Sequence, residues 1–77
     1  MELQIQTGTH NSVTITAGKK EFFIMKSDYS INVLCKNAAH AAYNGMGKFF
    51  DTWEQAIDAY KSEAAKESIK TAREILK

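Results

Sequence analysis

Apolar and polar residues alternate with period two through most of the first fifty positions, and the period then becomes helical. In "LQIQT", Leu3 and Ile5 oppose Gln4 and Gln6; in "VTIT", Val13 and Ile15 oppose Thr14 and Thr16. Each is the pattern of a half-buried strand. The alternation fails in "EFFIMK", where Phe22 and Ile24 face one way and Phe23 and Met25 the other. Such a strand is either covered on both sides or displays an apolar surface. "INVLC" returns to one apolar face with Ile31, Val33 and Cys35, and "MGKFF" reads as a last short strand. The connections "GTHNS", "AGKK" and "SDYS" are short and built from turn residues, which favours an antiparallel meander. Residues 37–45, "NAAHAAYNG", fit two descriptions. Asn37 and Gly45 can bracket a short helical or irregular loop, which the alanines favour, while Asn44-Gly45 is also a hairpin signal.

"FFDTWEQAIDAYKS", residues 49–62, is where strand gives way to helix. Asp51 or Thr52 serves as N-cap, and Asp51 and Glu54 have capping-box spacing. Trp53, Ala56, Ile57 and Tyr60 then share a face, whereas Ala65, Ile69, Ala72 and Leu76 cluster roughly 100° away. This phase slip predicts a helix over 52–61, a break at Ser62 acting as a new cap, and a second helix over 63–76. The competing description is one unbroken helix, which would leave Ile69, Ala72 and Leu76 as an oligomer interface. The expected fold is α+β: an antiparallel sheet of four to five short strands with a C-terminal helix, or broken helix, on one face. One domain spans 1–77, strand-rich over 1–50 and helical over 51–77.

At 77 residues the core is small and the stability margin thin. A single cysteine cannot form an internal disulfide, and residue 1 is followed by polar alternation rather than a leader, so a reducing cytoplasmic setting is expected. No apolar run is long enough to cross a membrane as a helix. His10, His40 and Cys35 form no metal-ligand spacing, so neither a metal nor a cofactor is expected. Cys35 and His40 are the one pair that resembles a nucleophile and its base, but Cys35 is in line with Ile31 and Val33, where a thiol is expected to be inert packing. "GMGK" lacks the earlier Gly and the Ser or Thr of a phosphate-binding loop. With no catalytic constellation, the chain is read as not an enzyme. Lys19, Lys20, Lys26, Lys36 and Lys48 interleave with Phe22, Phe23, Tyr29 and Tyr43, a mixture that can contact nucleic acid, yet the strand half holds no Arg for base reading.

Phe50, Asp51, Thr52, Glu54, Ala56, Ala59 and Tyr60 reproduce an "F-D-T-x-E-x-A-x-x-A-Y" seam that resembles plant AP2 domains and the arm-binding domains of phage and transposon integrases. That resemblance implies a sheet presented to DNA and backed by a helix, though "EFFIMKSDYSINVLCK" has no counterpart to the Arg- and Trp-rich strands that make the base contacts. The run "NAAHAAYNGMGKFF" followed by "AYKS" is similar to small phage and prophage proteins, which implies a stoichiometric inhibitor of a host complex, of the anti-CRISPR kind. The expected function is therefore non-catalytic binding of a protein partner by a monomer or homodimer, the alternative being a sheet-based nucleic-acid-binding module. The candidate binding residues are His40, Tyr43, Asn44 and Lys48 in and beside the irregular segment, with Lys36 and Lys26 from the strands.

Overall fold

The computed structural model describes residues 2–39, 42–43 and 45–76. Five strands, β1 (Leu3–Thr7), β2 (Ser12–Ala17), β3 (Lys20–Lys26), β4 (Ile31–Asn37) and β5 (Lys48–Phe50), pair antiparallel in chain order as an open meander. Two helices follow, α1 (Trp53–Asp58) and α2 (Glu63–Ile75). This is the α+β architecture expected from the periodicity.

Cross-strand partners share a face, so the register sorts the sheet into two surfaces. Ile15 is opposite Phe22 and Phe22 opposite Cys35; Val13, Ile24 and Val33 form the next row, and Ile31 meets Phe50. These rows face the helices, and Val13, Ile15, Phe22, Ile24, Ile31 and Val33 are buried there with Ala56, Ile57, Ala65, Ile69, Ala72 and Leu76. α2 rests on β2 and β3, and α1 on β4 and β5. The turns hold this register. In the β2–β3 connection Gly18 has φ 63° and no positive φ occurs at Lys19, the order of a two-residue II′ turn, whose twist suits a hairpin.

The break between the helices is real. Ser62 is the N-cap of α2, its hydroxyl accepting from the Ala65 N–H at 3.2 Å. Lys66 reaches back to donate to the Ile57 carbonyl at 2.9 Å, adding to the long bond of 3.4 Å which that carbonyl accepts from the Tyr60 N–H at the end of α1. The unbroken helix is thereby corrected, and with it the proposed interface: Ile69, Ala72 and Leu76 are 0, 0 and 3% exposed, because the reversal at Ser62 turns their stripe onto the sheet. At the seam, Thr52 rather than Asp51 is the cap, accepting from the Gln55 N–H at 3.1 Å. The reciprocal partner is Gln55, whose side-chain oxygen accepts from the Asp51 N–H at 3.1 Å, so the box closes one residue later than the Asp51–Glu54 spacing suggested. No helix among the described residues is long and apolar enough to cross a membrane.

Cys35 departs from expectation. Its register puts it beside Phe22 on the helix side, but it is exposed, because α1 ends at Asp58 and α2 runs over β2 and β3, short of this end of β4. Partial desolvation still pushes its thiol up, opposed by the charge of Lys20, which favours the unreactive protonated form.

Ser68 is fully buried on the inner face of α2, and its hydroxyl has no hydrogen-bond partner among the described residues. Ser68→Ala is expected to raise stability by about 1 kcal/mol, since it removes an unsatisfied group and improves helix propensity. Ile69→Ala, one residue on, is expected to cost about 2 to 5 kcal/mol through a cavity in the same layer. Urea unfolding of the two variants checks both signs; a stabilising Ile69→Ala would contradict the packing.

Candidate functional site

The helices cover one face of the sheet only. On the other, the register lays out three rows: Gln4–Thr16–Glu21–Lys36, Gln6–Thr14–Phe23–Leu34 and Ser12–Met25–Asn32–Phe49. The β1–β2 half of this open face is amide and hydroxyl. The β3–β5 half carries Phe23, Met25, Leu34 and Phe49 beside Asn32, Glu21 and Lys36, and its apolar part is the second face of "EFFIMK" without a helix over it.

The connection between β4 and β5 crosses this apolar half. Ala38 and Ala39 form a turn, and no helix occurs among the described residues of the segment. Tyr43 settles on Phe23, ring centroids 6.2 Å apart at 52°. Gly47 brings the chain down onto β4 with φ 77°: a β-carbon there would stand 2.5 Å from the Val33 carbonyl oxygen and 2.8 Å from Leu34 Cγ. Only glycine fits both the backbone angle and the close approach. Met46, carried by that turn, is 76% exposed, and Phe49 beyond it is 57% exposed. Phe23, Met25, Asn32, Leu34, Tyr43 and Met46 line a shallow depression of about 490 Å3. Asn32 Oδ1 lies buried in it, below Gly47, with no hydrogen-bond partner among the described residues.

One corner of the depression is polar. Tyr43 donates its hydroxyl to Glu21 Oε2 at 2.8 Å, Lys36 Nζ is 3.3 Å from the same oxygen, and Lys36 is 5.4 Å from the Tyr43 ring centroid. The Tyr43 hydrogen bond, with the Lys36 ammonium assisting, holds the Glu21 carboxyl below the usual carboxylate range. Burial, reinforced by the Glu21 charge, pushes the Tyr43 phenol up. The two shifts keep Glu21 ionised and the Tyr43 phenol neutral at neutral pH, so the hydrogen bond between them runs from phenol to carboxylate.

Of the candidate binding residues, Tyr43 and Lys36 are brought together here. Lys48 is on the opposite face, 5.5 Å from the Tyr60 ring centroid, and Lys26 is at the end of β3, donating to the Ser27 carbonyl. His40 and Asn44 lie outside the described residues. Glu21, Phe23, Met25, Leu34, Met46 and Phe49 were not among the candidates, although the two-faced pattern of "EFFIMK" signalled part of this surface. Among the described residues no group of three or more His, Cys, Asp or Glu is placed to hold a metal ion.

The Glu21–Tyr43 bond gives a titration signature. A carboxyl with a depressed folded value stabilises the fold above its unfolded value and loses that contribution as pH falls through the folded one. Tyr43 has the opposite sense: its contribution is present below the unfolded tyrosine value and is lost as pH rises through the folded one. In an NMR titration Glu21 is expected to titrate below 4.5, and Tyr43→Phe is expected to move it upward. An unmoved Glu21 in Tyr43→Phe would mean the hydrogen bond does not form in solution.

Compared with protein-family models, with curated proteins and with solved structures, the chain matches none, so the likeness to AP2 and integrase arm-binding domains rests on the seam at residues 50–60 alone.

Proposed function

We propose that this chain is a non-catalytic binding protein that engages a protein partner through the helix-free face of its sheet. The observation that carries the reading is the apolar half of that face: Phe23, Met25, Leu34, Met46 and Phe49 stand together, two of them more than half exposed, beside the Glu21–Lys36–Tyr43 corner. An apolar patch with a polar rim is what a protein interface looks like before its partner arrives, with aromatics and methionines as anchors and a charge pair to set orientation. A stoichiometric inhibitor of a larger complex, the form of binder implied by the likeness to small phage proteins, needs nothing more than such a surface.

The distribution of lysines favours protein over nucleic acid. By register, Lys20, Lys26 and Lys48 belong to the helix side of the sheet or its margins. Among the described residues Lys36 is the strand lysine of the open face, and Glu21 neutralises it. A sheet that reads DNA needs cations where this one has phenylalanine, leucine and methionine.

Phe49→Asp and Met46→Asp are expected to leave the fold intact, since both side chains are largely in solvent, and to abolish partner capture. Pull-down with wild type and each variant, with and without nuclease, followed by binding across a salt series, is the test. Capture that resists nuclease, disappears in both variants and varies little with salt supports the reading. Capture that needs nucleic acid, or a steep loss of affinity with salt that is unaffected by Phe49→Asp, overturns it in favour of nucleic-acid binding.

A further inference from the structure

The free edges of the sheet are unequal. β5 is three residues long and begins with Lys48, so its edge is short and carries a charge, two devices that discourage pairing. β1 has neither. It is five residues, "LQIQT", uncharged, without proline, and in unbroken register with β2 from Leu3 opposite Ala17 to Thr7 opposite Val13. α2 rests on β2 and β3 and leaves Ile5 48% exposed.

The direction of the β1 backbone groups follows from the loop bonds. Gly8 N–H donates to the Ser12 carbonyl, so the Gly8–Ser12 pair is hydrogen-bonded. Hydrogen-bonded and non-hydrogen-bonded pairs alternate in an antiparallel ladder, which makes Gln6–Thr14 and Gln4–Thr16 the bonded pairs of β1 and β2. The Lys26 N–H donates to the Asn11 carbonyl, which by the same alternation assigns Val13, Ile15 and Ala17 to β3 and agrees. Leu3, Ile5 and Thr7 therefore point both backbone N–H and C=O away from the sheet.

We propose that β1 pairs antiparallel with β1 of a second copy, about a two-fold axis through Ile5, to make one continuous sheet across a homodimer. The strand is self-complementary in this register. Ile5 meets Ile5 of the copy as a hydrogen-bonded pair, and Leu3 meets Thr7, so each outward-pointing residue exchanges both of its backbone bonds. The two half-exposed Ile5 side chains cover each other on the helix side. Gln4 falls opposite Gln6 on the open face, where amides bond to amides. No charge of either sign is brought against its own kind within the strand. The apolar halves of the two open faces then lie at the outer ends of the joined sheet, both free for partners, so this inference does not depend on what binds there.

Ile5→Lys, which adds a charge at the axis, and Thr7→Pro, which deletes an outward N–H, are tested against wild type by sedimentation over a concentration series and by amide hydrogen exchange. Both substitutions lie on an exposed edge, and circular dichroism checks that each variant folds. Wild type is expected to sediment as a dimer with Leu3, Ile5 and Thr7 amides protected, and both variants as monomers in which the remaining amides exchange faster, Leu3 and Thr7 in Ile5→Lys and Leu3 and Ile5 in Thr7→Pro. A wild type that stays monomeric at every concentration, with those amides unprotected, overturns the proposal. A dimer that survives Ile5→Lys but is split by Phe49→Asp also overturns it, and assigns self-association to the open face instead.

Discussion

The structure depends on burying one face of a five-stranded sheet with too little helix to bury both. The inner rows supply Val13, Ile15, Phe22, Ile24, Ile31 and Val33, and they are closed by a helical segment that has to be folded at Ser62 to reach across them. A continuous helix would carry two apolar stripes aimed about 100° apart, and one would face water. Capping at Ser62, with Lys66 tying back to Ile57, converts this mismatch into two short helices that share the sheet: α1 over β4 and β5, α2 over β2 and β3. Ala65, Ser68 and Ala72 on the inner side of α2 keep the layer thin, which is why a small chain can close its core at all.

The exposed apolar surface follows from that one-sided economy. Among the described residues no helix covers the second apolar face of β3 and β4, and Phe23, Met25 and Leu34 there line a depression with Tyr43 and Met46 from the chain between β4 and β5. Gly47 lets that crossing press against the Val33 backbone, which leaves Met46 and Phe49 out in solvent and gathers the apolar groups into one patch. Tyr43 is tied to β3 by its hydrogen bond to Glu21, and the same Glu21 oxygen pairs with Lys36 of β4. The apolar packing and the polar tether of this face thus come from different residues.

Period two in "LQIQT", "VTIT" and "INVLC", together with turn residues between them, determined the strands and their meander, because side-chain alternation and short connections are local properties. The phase slip and Ser62 determined the helix break for the same reason. "EFFIMK" determined that some apolar surface would need an explanation, but whether a second layer would cover it was a question of how much helix the chain could spare. Tertiary structure answered that, and it decided the rest. Thr52 with Gln55, not Asp51 with Glu54, closed the helix cap, since the choice depends on how β5 delivers the chain. Cys35 shares a face with the core yet escapes it, since register assigns a face but only the reach of α1 and α2 decides how far along the strand that face is covered. Tyr43, Lys36 and Glu21 came together while Lys48 and Lys26 went elsewhere, because a contact between residues distant in sequence is set by strand pairing and by where the chain runs between strands, neither of which leaves a local signal.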